Sequence, residues 1–356
     1  MRIMRMLAAA AMLAGAVVAT AGPVQAAPPG VHGYVWGHQP NNPNYFPNTG
    51  YEHNSAGGPI QIIRNGVGSY HVAFHDMAAE GGVAHASAYG NNHHCTINTY
   101  GPRGRDQWVH VRCFAANGAP ADSRFVANYT SHQPAGASFG YLRNDLAVPP
   151  PGGHQVSGQW SYDSAGKPVV VHRTGVGQYE VELGAYLQDS GGAWNDGFLR
   201  ATPLSTAARH CQFMDPDFVP DNERLYLSCF DHTGFGVDTA FTVTYAREVS
   251  PLGTAGGHAT ATVERLFPPS VVWGWSNTIS GGGALATDLE VWSYLVTFRG
   301  TAEPRGHAMA SIMGSPPQYC NIHAWWTDGQ HQYVWLRCYQ NGGPHLAVLY
   351  NVGFVG

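Results

Sequence analysis

Six cysteines fall into three pairs, Cys95/Cys113, Cys211/Cys229 and Cys320/Cys338, and the members of every pair stand 18 residues apart. A spacing kept through three divergent stretches means that one structural unit has been used three times. The flanking text agrees. Arg64-Asn65-Gly66-Val67-Gly68-Ser69-Tyr70-His71-Val72 returns as Arg173-Thr174-Gly175-Val176-Gly177-Gln178-Tyr179-Glu180-Val181, and a worn third copy keeps Tyr294, Val296 and Phe298. Downstream, Asp122 to Tyr129 matches Asp238 to Tyr245 at the same distance from Cys113 and Cys229, and Tyr350 marks a shortened third ending. Each unit is therefore about 110 residues, enough for a core of its own.

An even cysteine count at fixed spacing in an exported chain reads as one disulfide per unit. Zinc sites bring cysteines in close C-x-x-C pairs, which this sequence lacks. Each bridge would constrain the unfolded chain by about 3 kcal/mol. The second cysteine of each pair closes a period-two run: Val109, Val111 and Cys113 alternate with Trp108, His110 and Arg112. Leu225, Leu227 and Cys229 alternate with Arg224, Tyr226 and Ser228, and Val334, Leu336 and Cys338 with Tyr333, Trp335 and Arg337. Such alternation predicts half-buried strands with the cysteine facing inward. Gly66-Val67-Gly68 suits a hairpin turn ahead of the strand carrying Tyr70, Val72 and Phe74.

These patterns predict an all-β chain of three tandem antiparallel β-sandwich or jelly-roll-like domains, one disulfide each. The alternative is one closed, propeller-like assembly; separate domains are preferred because a propeller blade needs only ~40–50 residues. The expected boundaries are a signal peptide at 1–26, units at 27–131, 140–247 and 270–356, the last degenerate, and Gly/Pro-rich linkers at 132–139 and 248–269. Unit 2 carries extra residues around Leu187 to Ser205, including Trp194, which read as a surface insertion. The leader rests on Arg2 and Arg5, an apolar run from Met6 to Thr20, and small residues at Val24-Gln25-Ala26. That run falls short of the ~20 residues of a bilayer span, and no later segment reaches that length without a charge, Pro or Gly. A secreted protein with no membrane span in the mature chain is expected.

The text R-x-G-x-G-x-Y-x-V, then C, then V-x-V-x-C-F and a downstream D-S-R-F resembles a repeated secreted domain of actinomycetes and other environmental bacteria. Here it is carried by Arg64, Gly66, Gly68, Tyr70, Val72, Cys95, Val109, Val111, Cys113, Phe114, Asp122, Ser123, Arg124 and Phe125. Copy two has Ala240 in place of Arg124, and copy three lacks the Gly-x-Gly turn. The resemblance covers most of the chain and implies no catalytic residue, ligand or cofactor.

Charged residues make up only 12%, about half the usual share. The formal charge is −5 and Lys167 is the only lysine, so no basic stripe exists to neutralise phosphates, and nucleic acid is not an expected partner. Gly136-Ala137-Ser138-Phe139-Gly140 fits G-x-S-x-G but lies in a linker, away from any strand-to-helix elbow. Asp215, Asp217, Asp221 and Glu223 read as a solvated turn, because Pro220 stands where a calcium loop needs glycine. His93, His94 and His110 gather near one predicted bridge and are weak metal candidates, and His75-Asp76 hints at a carboxylate partner. The 19 histidines, if exposed, would reverse the sign of the chain between about pH 7 and 5 and drive it onto anionic polymers.

Aromatics on the presumed outer face of the cysteine strands carry the stronger binding argument: Trp108, His110 and Arg112, then Tyr226, then Tyr333, Trp335 and Arg337. Flat rings beside Arg donors suit sugars. Trp325-Trp326 is equally compatible with core and surface. The expected function is a secreted, cofactor-free, non-catalytic binding module for extracellular glycan or cell-surface material. The alternatives are a secreted hydrolase using a His/Asp or metal site in unit 1, and a structural envelope protein.

Overall fold

The recurrent cysteine spacing is the span of a hairpin. In the computed structural model Cys95 on β7 (His94–Arg103) lies directly opposite Cys113 on β8 (Asp106–Phe114), with 4.1 Å between their Cα atoms. The Cys113 amide donates to Gly68 O on its other side, so the two cysteines form a non-hydrogen-bonded pair, the kind whose side chains approach closest. Cys211–Cys229 and Cys320–Cys338 repeat the arrangement, giving three disulfides and no free cysteine among the described residues. The structure describes residues 30–47, 49–134, 138–189, 197–214, 224–247, 249–250, 252, 256–262, 276–278, 284–290, 293–314, 317–340, 343–344 and 349–355. For 187–189, 256–262, 276–278, 284–290, 343–344 and 349 it describes the backbone path. The expected leader, Trp194 and the Asp215 to Glu223 stretch lie outside these residues.

The fold is all-β, with three tandem units and one short helix among the described residues. Unit 1 contains β1 (His32–Gly37), β2 (Asn44–Tyr45), β3 (Glu52–Asn54), β4 (Ile60–Gly66), β5 (Ser69–Phe74), β6 (Val83–Ala88), β7, β8 and β9 (Phe125–Thr130). An inner sheet, β3-β1-β9-β6, packs on an outer sheet, β7-β8-β5-β4-β2. Unit 2 repeats this with β10 (Ser138–Asn144), β11 (His154–Gln155), β12 (Ser161–Asp163), β13 (Val170–Gly175), β14 (Gln178–Glu182), α1 (Gly184–Asp189), β15 (Phe198–Leu204), β16 (Arg209–Phe213), β17 (Leu225–Asp231) and β18 (Ala240–Arg247). Unit 3 comprises β19 (Gly256–Thr262), β20 (Ser276–Thr278), β21 (Ala284–Glu290), β22 (Ser293–Arg299), β23 (His307–Met313), β24 (Tyr319–Thr327), β25 (His331–Gln340), β26 (Gly343–Pro344) and β27 (Leu349–Val355).

The repeated text outside the cysteines is a clasp. Asp122 accepts from Arg64 Nε (2.9 Å) and Nη2 (2.7 Å), the Gly68 amide and the Tyr70 hydroxyl, while the Ser123 amide donates to that same hydroxyl. Asp238 binds Arg173 and the Gly177 amide in the same way, and the Thr239 amide donates to Tyr179. Partial burial opposes the charge of Asp122, but its hydrogen bonds outweigh that and hold the carboxyl below the usual range. Gly68 (φ 62°) and Gly177 (φ 69°) are required twice over: a left-handed turn, and a carbonyl of Cys113 or Cys229 where a Cβ would stand.

The units are not independent beads. The outer-sheet edge β7 of unit 1 meets the inner-sheet edge β15 of unit 2 in parallel register at Ile97 and Leu204, and β16 meets β23 at Phe213 and Met313. Ile322 on β24 bridges to Tyr89, just beyond β6, which closes the series on itself. Three equivalent hydrogen bonds mark these joints: Ser205 N to Ile97 O, Gly314 N to Phe213 O and Gly90 N to Ile322 O, at 2.8–2.9 Å. Each sandwich keeps its own apolar core. A fourth core draws on all three units, with Tyr34 and Val83, Phe139, Tyr141 and Phe198, and Met309 and Val355 packed together. The expected three sandwich domains are present, and they are joined edge to edge around a common axis.

Two stretches read as linkers carry strands. Ser138 and Phe139 open β10, so Ser138 sits opposite Arg247 in a ladder and on no catalytic elbow. Gly256–Thr262 is β19, paired with both β27 and β20, and belongs to unit 3. Its Gly, Thr and Ala residues show no alternation of large apolar side chains, which is why composition misplaced it. The stretch read as a surface insertion in unit 2 overlaps α1, whose first amides, Gly184 N and Ala185 N, are capped by Asp163. The end of that stretch, Phe198–Leu204, is β15, a buried strand paired with β18 and β7 and no surface loop.

Candidate functional site

Alternation along β8, β17 and β25 sends the cysteine side of each strand into its sandwich and the other row outward, so all seven residues proposed from sequence lie on outer faces. Register makes them equivalent. His110, Tyr226 and Trp335 stand opposite His71, Glu180 and Leu295, and Trp108 and Tyr333 opposite Ala73 and Thr297. One position in three units carries three different chemistries.

On unit 1 the face is imidazole and guanidinium. The rings of His71 and His110 lie 4.3 Å apart, and Trp108 stands edge-on to His71. Asn98, at the bulge of β7, donates to His110 Nδ1 at 2.9 Å, leaving Nε2–H to donate to Ser69 Oγ. Asn65 Nδ2 likewise donates to His71 Nδ1, which places the proton of the neutral ring on Nε2. Burial, then His71, Arg112 and Arg103, press His110 down to about 4; burial and Arg103 lower His71. Both rings are neutral at physiological pH. Arg103 lies over Trp108 at 5.3 Å, and a cleft of about 180 Å³ runs between His71, Thr99, Tyr100, Arg103, Trp108 and His110.

On unit 3 the face is aromatic. Trp326 and Tyr333 stack at 5.3 Å and 14°, with Trp326 41% exposed. Trp335 meets His323 edge to face at 4.1 Å, donates to Ser293 Oγ, and carries Arg337 at 5.1 Å. Asp328 accepts from Tyr333 and from the Gln330 and His331 amides. Trp325 turns the other way, into the core with Trp36, Tyr51 and Tyr89. On unit 2, Arg224 pairs with Glu180 (2.7 Å) and Glu182 (2.9 Å), and His172 with Glu182. That face is largely self-neutralised.

The axis offers a second cluster. His94, His210 and Tyr319, each preceding the first cysteine of its unit, bring their rings within 4.1–5.6 Å of one another. Burial, then His210, His232 and His93, press His94 to about 3; burial lowers His210 to about 4 against the pull of Asp231. The cavity beside them measures about 60 Å³, against about 180 Å³ for the unit 1 cleft. The metal candidates are not brought together: His94 lies opposite Phe114, His110 opposite Thr99, and His93 pairs with Asn91. No group of three or more His, Cys, Asp or Glu that could hold a metal occurs among the described residues. His75 pairs with Asp106 at 3.0 Å, and Asp76 with Arg105.

No protein-family model, curated protein or solved structure matches this chain. Sequence reasoning missed His71, Asn98, Arg103 and His323 as members of the outer faces and left Trp326 open between core and surface. His71 was within reach, since it alternates with Tyr70 and Val72; Asn98 and His323 sit at bulges, where simple alternation fails.

Proposed function

We propose that the chain is an exported, non-catalytic binding protein whose outer sheet faces hold extracellular glycan or cell-surface polymer. The observation that carries this reading is the Trp326–Tyr333 pair beside Trp335 and Arg337: near-parallel stacked rings, Trp326 exposed, with donors nearby, which suit the C–H face and hydroxyl rim of a sugar. Export is supported by the three disulfides and by the leader-like residues 1–26. No described helix is long and apolar enough to cross a membrane. The hydrolase alternative is left with the His75–Asp106 pair, beside which no nucleophile is hydrogen-bonded among the described residues.

The test is retention of the purified chain on insoluble cell-wall and plant polysaccharides, with and without EDTA. Retention by at least one polymer, reduced about tenfold or more by Trp326→Ala with an unchanged melting temperature, is the expected result. Retention by none, across a broad panel, would turn the reading toward a scaffold. Release of soluble sugar would turn it toward a hydrolase.

A further inference from the structure

The three outer faces differ in sign as well as in shape. Unit 2 offsets Arg224 with two carboxylates, whereas the unit 1 face carries Arg103 and Arg112 with no carboxylate set between them. The acids at its edge are engaged, Asp106 by His75 Nδ1 and the Asp76 amide and Asp76 by Arg105. Among the described residues Arg112 Nε is buried without a hydrogen-bond partner, its guanidinium 5.9 Å from the Phe114 ring, and the Arg103 guanidinium lies over the Trp108 ring. His71 turns its Nε2–H away from Asn65, with no protein acceptor among the described residues. A chain of net charge −5 thus keeps one face where aromatic surface, the Arg103 guanidinium and a fixed imidazole donor line one cleft, with Arg112 further along the same outward row.

Resting on the glycan-binding reading above, we infer that the unit 1 cleft is the site for an acidic polysaccharide, one whose sugar rings bear carboxylates. Trp108 supplies the flat apolar contact, Arg103 a planar fork matched to a carboxylate, and His71 a single donor whose tautomer Asn65 sets. Unit 3, with more aromatic surface, takes the neutral part of such a chain. The charge at unit 1 comes from arginines, so this binding persists from pH 7.5 to 6.

Affinity electrophoresis of the full chain in calcium-free buffer tests the inference, with polygalacturonate and its fully methyl-esterified form as probes. Retardation by the acid form at least about tenfold stronger than by the ester is expected, and it should fall with salt. Arg103→Gln, at an exposed position, should bring the acid form down to the level of the ester, with Arg103→Lys between the two. Equal retardation by both polymers, or an Arg103→Gln chain that keeps its preference for the acid, would overturn the inference and leave glycan binding standing. Retention of neutral polysaccharides alone would do the same. Retention of no polymer at all would overturn both.

Discussion

At the axis, equivalent positions hold His85, Arg200 and Met309, and further along His94, His210 and Tyr319; on the outer faces they hold His110, Tyr226 and Trp335. Both sets have diverged, with His94 and His210 alone alike, while the clasp between them has been kept in units 1 and 2. The axial divergence has a packing cause. His85 bonds Thr202 and Thr244 of unit 2, Arg200 donates to Ser87 of unit 1, and His307 meets Asn128. Three copies of Arg200 meeting at one axis would gather three buried like charges, so closure demands unlike neighbours. The outer faces lie on separate sheets and do not constrain one another. Their divergence has no explanation in the fold, which is why they are the place to look for function.

The largest expected effect lies at the axis. Burial holds His94 to about 3, His210 to about 4, and His85 and His307 well below the usual imidazole range, with Arg200 adding repulsion to the last two. A folded pKa below the unfolded ~6.5 means that the unfolded chain binds the extra protons. Stability is therefore complete above about pH 6.5 and is lost as pH falls toward 4, at up to about 1.4 kcal/mol per pH unit for each such histidine. His94 and His210 alone account for about 5 kcal/mol by pH 4.5, comparable with the whole stability of many domains. Melting temperature against pH should drop steeply over that window, and His94→Phe with His210→Phe should flatten the drop. A flat profile from pH 7 to 4.5 would contradict the axial account. It also replaces the expectation of a charge reversal driven by exposed histidines.

The clasp comes next. Asp122→Asn should lower stability by about 2–3 kcal/mol in urea unfolding, because it leaves Arg64 unpaired and weakens the bonds to Gly68 and Tyr70. Asp238→Asn should match it, since the geometry is the same. The smallest effect belongs to the outer face, where Trp326→Ala should stay within about 0.5 kcal/mol of the parent. A loss of several kcal/mol there would return the outer row to a structural role.

How much could be read from sequence follows the same division. Whatever is local and repeated was legible: the three bridges, the inward cysteine of each period-two strand, the hairpin at Gly66 to Gly68. Whatever depends on contact between units was not. Leu204 meeting Ile97, and His94 meeting His210 in place of His110, join positions that no local pattern links. β19 was hidden because its backbone pairing, and no hydrophobic alternation of its own, makes it a strand. At the candidate site the outward row along β8 and β25 was visible, while the partners supplied by β5 and by the bulges of β7 and β24 were not.

Hydrogen exchange read by mass spectrometry on the full chain, with and without polygalacturonate, sets the two regions against each other in one measurement. The polymer should slow exchange in the hairpins β7–β8 and β24–β25, while β6, β15 and β23 keep their rates and open together as one unit. Protection by the polymer at the axial strands with none on the outer hairpins, or axial strands that open one unit at a time, would contradict the division between a structural axis and binding faces.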